Sequence, residues 1–99
     1  MHSYEIRRII REMVKKNIDT EKNIGRKLED ENIVFVFFVN KKREGGFCVA
    51  IKLYHKKRET SDDFEITEWV CTDSEEGIAK IIKEAKQYAN ILKRRFKNA

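Results

Sequence analysis

The feature that most constrains the fold is the uninterrupted apolar run from Ile33 to Val39, which contains only β-branched and aromatic residues. Such residues favour β-strands. Successive side chains of a strand point to opposite faces of the sheet, so a strand of this composition is apolar on both faces. The run therefore predicts a strand whose two faces both need apolar cover.

Two further segments have the composition of strands. Residues Phe47 to His55 and Phe64 to Thr72 alternate apolar side chains with others, as half-buried strands do. The connections at 41–46 and 56–63 are short and polar, and the first contains two glycines that permit the positive φ of a hairpin. Short connections join antiparallel neighbours. The sequence therefore predicts a three-stranded antiparallel meander.

Apolar residues at helical spacing predict a helix at each end of the chain. The first helix runs from Tyr4 to about Asn17 and is capped by Ser3. The last helix follows Ser74, with acidic residues in its first turn and basic residues in its last, as the helix dipole favours. For Ile18 to Asn32 the pattern is weaker, and a short helix and a loop are the alternatives. The predicted element order is α-(α)-β-β-β-α.

The length and composition predict one α+β domain over residues 1–99. Charged residues make up 39% of the chain, mostly as Lys and Glu, and this enrichment is typical of proteins from hyperthermophiles. No apolar run reaches the roughly 18 residues of a membrane span, and the N-terminus lacks the apolar core of a signal peptide. We therefore expect a thermostable cytoplasmic protein with no membrane partner.

A second apolar face is expected on the sheet. The first strand places Val34, Val36 and Phe38 on one face, and strand alternation adds Tyr54 and Trp69 beside them. Exposed together, these side chains would form the kind of patch that marks an interface. The alternative is that the helices separate, one on each face, and bury all of them. We predict an interaction face for a homodimer or another protein partner.

The net charge of +5 is unevenly distributed. The last helix carries a stripe of cations on its solvent side, formed by Lys83, Lys86, Lys93, Arg94 and Lys97. A stripe of this kind can neutralise phosphates, so nucleic acid is a second candidate partner. No stripe that combines aromatic and basic residues stands out, and we therefore expect any such binding to be independent of sequence. The alternative is the solvated Lys/Glu surface of a thermophilic protein.

The two cysteines, Cys48 and Cys71, lie directly opposite each other if His55 pairs with Phe64. Free thiols packed as small hydrophobes are the favoured interpretation. A disulfide is the alternative, because intracellular disulfides occur in hyperthermophilic archaea. His55 falls on the other face of the sheet from both cysteines, so no metal site is expected.

Known catalytic patterns do not occur in the sequence. There is no Gly-x-Ser-x-Gly nucleophile motif, and the glycines at 45 and 46 lack the spacing and the Lys-Ser/Thr ending of a phosphate-binding loop. We therefore expect a non-enzymatic protein with no cofactor and no small-molecule substrate.

The whole chain resembles the small uncharacterised proteins encoded by filamentous and rod-shaped viruses of hyperthermophilic archaea. The resemblance is carried by the length near 100 residues, the richness in Lys, Glu and Ile, and the α/β element order. It implies an infected archaeal cell as the habitat and an accessory role for the protein. It implies no chemical activity.

Overall fold

The structure is a computed structural model that describes residues 3–16, 24–42, 44–57 and 64–97. The elements in chain order are α1 (Ser3–Lys16), β1 (Ile24–Asp30), β2 (Ile33–Lys41), β3 (Phe47–His55), β4 (Phe64–Ile66), β5 (Val70–Thr72) and α2 (Glu75–Arg95). The predicted α+β class, with an N-terminal helix, an antiparallel sheet and a long C-terminal helix, is confirmed. Neither helix has the combination of length and apolarity that a membrane span needs.

The sheet contains a strand that the sequence analysis does not predict. Residues Ile24–Asp30 form β1, which pairs with β2, where a short helix or a loop was expected. Glu31 and Asn32 alone connect these strands, and their φ values of 48° and 72° are those of a tight hairpin turn. The carbonyl of Asn32 also accepts a hydrogen bond from Lys56 N at 2.7 Å. The remaining residues of the predicted helix, 18–23, lie outside the described ranges.

The last strand of the meander is divided in two by a change of register. At its β5 end, Cys48 pairs with Cys71, as the predicted register has it. At its β4 end, Ile66 lies opposite Lys52, whereas the prediction placed it opposite Leu53. Two residues of β3 therefore face the three residues 67–69, which is the geometry of a β-bulge. The one extra residue turns β4 over relative to the predicted register.

Thr67 holds this bulge against β3. Its backbone N–H donates to the carbonyl of Ile51 at 3.0 Å. Its side-chain Oγ1 accepts from the N–H of Ile51 at 2.8 Å. Both residues are buried. The Thr67 hydroxyl therefore replaces the carbonyl that an unbroken strand would offer. It accepts the hydrogen bond of the buried Ile51 N–H, which has no access to water.

Both helices lie on the same face of the sheet and form a single helical layer. One hydrophobic core joins them to β2 and β3. Its members are Ile6, Ile9, Ile10, Met13, Ile33, Phe35, Phe37, Val39, Val49, Ile51, Leu53, Ile78, Ile81, Ile82, Ala85, Ala89 and Leu92. Phe37 is fully buried at its centre, and truncating a buried Phe to Ala costs about 3–5 kcal/mol, much of the stability of a small domain.

The opposite face of the sheet, here called the outer face, has a smaller apolar cluster. Val34, Val36 and Tyr54 are only 8–9% exposed, and Phe38 and Phe64 pack against them. The expectation of an exposed patch is therefore wrong for these three residues, although neither α1 nor α2 covers them. The cluster is shielded in part by a further side chain of the same face.

That side chain is Lys52, which projects from β3 into the cluster. Its Nζ lies 4.5 Å from the ring centroid of Phe64 and 5.8 Å from that of Tyr54. The aliphatic stem of a lysine covers apolar surface while its ammonium group stays in water. The charge also interacts favourably with the faces of both rings.

The bulge yields a test of the fold. Replacing Thr67 with Val keeps the side-chain shape but leaves the Ile51 N–H buried without its acceptor, so we expect a loss of about 1–3 kcal/mol in the free energy of unfolding. Urea denaturation measures this loss. Hydrogen exchange should locate it as faster exchange at the Ile51 amide.

Thr67→Ser is the matched control, because it removes a methyl group and keeps the acceptor. In this variant the Ile51 amide should stay as protected as its neighbours in β3. A Thr67→Val protein with wild-type stability and unchanged exchange at Ile51 would contradict the role given to the hydroxyl.

Candidate functional site

The two helices of the layer run antiparallel and are joined by polar contacts at the start and in the middle of α1. Near its start, Lys86 Nζ donates to Ser3 Oγ at 3.2 Å. Further along, Arg11 pairs with Glu75 at the beginning of α2. Arg7 Nε lies 3.6 Å from the same carboxylate, which is long for a hydrogen bond. These contacts place the cations of α1 beside those of α2.

The first groove of this layer, the interhelical groove, runs between α1 and α2 and has a volume of about 460 Å³. Its walls carry three cationic side chains together with amide and hydroxyl groups, all of which can donate hydrogen bonds to an anion. The lining residues are Ser3, Arg7, Ala79, Ile82, Lys83, Lys86, Gln87 and Asn90. The groove is therefore suited to an anionic ligand.

The second groove, the α1 groove, lies along α1 and has a volume of about 350 Å³. It is lined by Tyr4, Arg7, Arg8, Arg11, Glu12 and Lys15. Four of these residues are cationic and one is acidic. Arg7 lines both grooves, so the two form one continuous basic surface across the helical layer.

The five cations predicted on α2 do not all join this surface. Lys83 and Lys86 line the interhelical groove. Lys93 instead pairs with Glu31 in the β1–β2 turn at 3.0 Å, and Arg94 Nε donates to the Asn90 carbonyl of its own helix at 3.4 Å. Lys97 is exposed beyond the end of α2. The predicted stripe is thus divided, and its first half lines the interhelical groove.

The sequence prediction missed the arginines of α1 as part of the basic surface. Their spacing shows that they face away from the apolar stripe, but it does not show which element lies beside them. The two helices together contain eleven Lys and Arg residues against five Asp and Glu residues, so they account for the whole net positive charge of the chain. Packing of both helices on one face of the sheet concentrates this charge on one side.

Glu75 is the acidic group that competes for the α1 arginines. Its side chain is 59% exposed, and that of Arg11 is 57% exposed. Exposed ion pairs of this kind contribute about 0–1 kcal/mol. Glu75 therefore orients Arg7 and Arg11 through weak ion pairs. A more highly charged anion can displace the Glu75 carboxylate from these arginines.

An acidic region lies where β4 and the bulge meet α2. Glu65 pairs with Arg95 at 3.1 Å, and Glu84 accepts from the backbone N–H of Glu68 at 3.2 Å. The pKa of Tyr88 is raised by burial of its phenol and then by the nearby carboxylates, chiefly that of Glu84. This acidic edge is separate from both basic grooves.

The outer face carries the two cysteines and the exposed aromatic residue of the predicted interaction face. Cys48 and Cys71 are joined in a disulfide between β3 and β5, so the favoured interpretation of two free thiols is not what the structure has. Trp69, in the bulge, is 46% exposed, and the neighbouring Ile66 is 50% exposed. Ile66 lies opposite Lys52 of the outer face, and both exposed side chains offer apolar surface to a partner.

His55 lies on the helical side, away from the disulfide. Its ring is 5.4 Å from that of Phe96 between centroids, and its Nδ1 accepts from Lys57 N at 3.2 Å. Among the described residues, no three His, Cys, Asp or Glu side chains are grouped as metal ligands.

Comparisons with protein-family models, curated proteins and solved structures find no match for this chain. We therefore infer the function from the geometry of the two grooves and of the outer face.

Proposed function

We propose that this protein binds nucleic acid without sequence preference, through phosphate contacts made by the interhelical groove and the α1 groove. The observation that supports this most strongly is the position of Arg7, which lines both grooves and so joins the cations of α1 to those of α2. A polyanion is the ligand that a continuous basic surface of this length would hold at many points.

The types of side chain agree with this proposal. Arginine offers several donors in a planar fork that matches phosphate oxygens, and lysine adds a mobile point charge. Gln87, Asn90 and Ser3 add neutral donors. Contacts of this kind release the counterions of the nucleic acid, which supplies most of the affinity in non-specific binding. They carry no information about the bases, so we expect binding to be independent of sequence.

Charge reversal within the grooves tests the proposal. Arg8→Glu combined with Lys83→Glu removes one cation from each groove and should weaken binding to labelled oligonucleotides in fluorescence anisotropy. Between about 50 and 200 mM salt, the affinity of the wild-type protein should fall by more than about tenfold. The double variant should lower the salt slope by about 2, since each phosphate contact contributes about 1.

The matched control is Lys42→Glu combined with Lys57→Glu. These exposed lysines lie in hairpin connections and line neither groove, and the change in net charge is the same. The control should bind nearly as the wild type does. Glu75→Gln should act in the opposite direction and raise affinity by about two- to fivefold, because it frees two arginines from an exposed ion pair. Equal losses in both double variants would contradict a site in the grooves.

A second candidate function is protein interaction through the outer face, with a second copy of this chain as the partner. It is supported by the exposure of Trp69 and Ile66, two large apolar side chains of the sheet region. Burial of Val34, Val36 and Tyr54 within the chain leaves less apolar surface for a dimer than the sequence indicates. We therefore rank this function below nucleic-acid binding.

Light scattering at high micromolar concentration tests the second candidate. It predicts a dimer for the wild-type protein and a monomer for Trp69→Lys. Tyr4→Lys is the control, because it makes the same change at an exposed aromatic residue of the helical layer, and it should leave the dimer intact. A monomeric wild-type protein would exclude the outer face as a dimer interface under these conditions.

An origin in a virus of hyperthermophilic archaea and a cytoplasmic location stay predictions from the sequence. Both are compatible with a small basic protein that coats or handles nucleic acid in an infected cell.

A further inference from the structure

We infer that the α1 groove binds single-stranded nucleic acid, with the ring of Tyr4 stacked on an unpaired base and the cations behind it on the phosphates. This inference deepens the proposed function and rests on it. The observation that supports it is the position of Tyr4 in the lining of the α1 groove.

Tyr4 is unusually accessible for an aromatic residue of this protein. Its side chain is 69% exposed, more than that of Trp69 or Ile66. The apolar face of α1 is already formed by other residues that are fully packed in the core, so Tyr4 has no role there. An isolated exposed aromatic residue is ordinary, and what distinguishes Tyr4 is that it forms one end of a cationic groove.

The spacing along α1 aligns the ring with these cations. Tyr4, Arg8, Arg11 and Lys15 follow one another at intervals of four, three and four residues, which places them on one side of a helix. With a rise of about 1.5 Å per residue, the row extends roughly 16 Å. A strand lying along it can place a base on Tyr4 and successive phosphates near the three cations.

The exposed ring favours a single strand over a duplex. Base stacking on an aromatic side chain contributes to single-strand binding for every base, because every base has a π-face. In a duplex the bases are already stacked on each other, and a ring must force a step open before it can stack. The phosphate contacts are available from either form. Tyr4 therefore adds affinity only where a base is unpaired.

The test compares three labelled ligands of equal length: a single strand, a duplex and an abasic single strand. We expect the wild-type protein to bind the single strand more tightly than the other two. Tyr4→Ala should weaken single-strand binding by about 5- to 150-fold, the range measured for one stacked base. It should change duplex and abasic binding by less than about twofold, because it removes no charge. Tyr4→Phe keeps the ring and should retain most of the single-strand affinity.

The outcomes separate this inference from the proposed function. Salt-dependent binding that is equal for all three ligands and unaffected by Tyr4→Ala would overturn the stacking role and leave phosphate binding in place. A Tyr4→Ala protein that loses affinity for all three ligands equally would also overturn it. The absence of binding to every ligand at low salt would overturn both.

Discussion

The fold depends on the inner apolar face of the two central strands, β2 and β3. Phe35 and Phe37 on β2, with Ile51 and Leu53 on β3, are fully or almost fully buried, and they need a cover as long as the strands themselves. Two antiparallel helices on one face provide it. Because the apolar stripes of both helices point at the sheet, their charged sides point to the same surface. The basic grooves are thus a direct consequence of how the core is covered.

The outer face shows how the sheet covers its second apolar cluster where neither α1 nor α2 reaches. The cluster around Val36 is covered partly by the stem of Lys52, which lies against two aromatic rings. The bulge at Thr67 turns β4 over, so that Phe64 lies opposite Tyr54 and packs on this cluster. The Thr67 hydroxyl stabilises the bulge, and the bulge directs Phe64 to the outer face of the sheet. This hydroxyl therefore helps to cover the second apolar face of β2.

Sequence reasoning succeeded where one period dominates a segment. The doubly apolar β2, the alternation in β3 and the long stripe of α2 each admit one interpretation. It failed for Ile24–Asp30, because Ile24 and Leu28 have helical spacing and because the turn that follows contains no glycine. The extra residue of the bulge could not be predicted, because the alternation of apolar residues does not show where the register changes. The position of Cys48 opposite Cys71 was predicted correctly, because the predicted register holds on the β5 side of that bulge, but free thiols were favoured over the disulfide.

Only part of the candidate site was predicted from the sequence, for a related reason. Lys83 and Lys86 form part of a regular stripe on one helix, and such a stripe can be read from spacing. Their meeting with Arg7 depends on the relative direction of two helices that are distant in the chain. Tyr4 was missed because the sequence does not show that this aromatic residue lines a basic groove.

We propose that the helical layer, and not the sheet, is the surface that binds nucleic acid. The most direct test is a titration of isotopically labelled protein with a short single-stranded oligonucleotide, followed by amide and arginine side-chain NMR signals. We expect shifts concentrated in α1 and in the turns of α2 from Lys83 to Asn90, with the Nε–H signal of Arg7 among the most affected. Shifts concentrated at Ile66, Trp69 and the outer face of β3, with α1 unchanged, would contradict it.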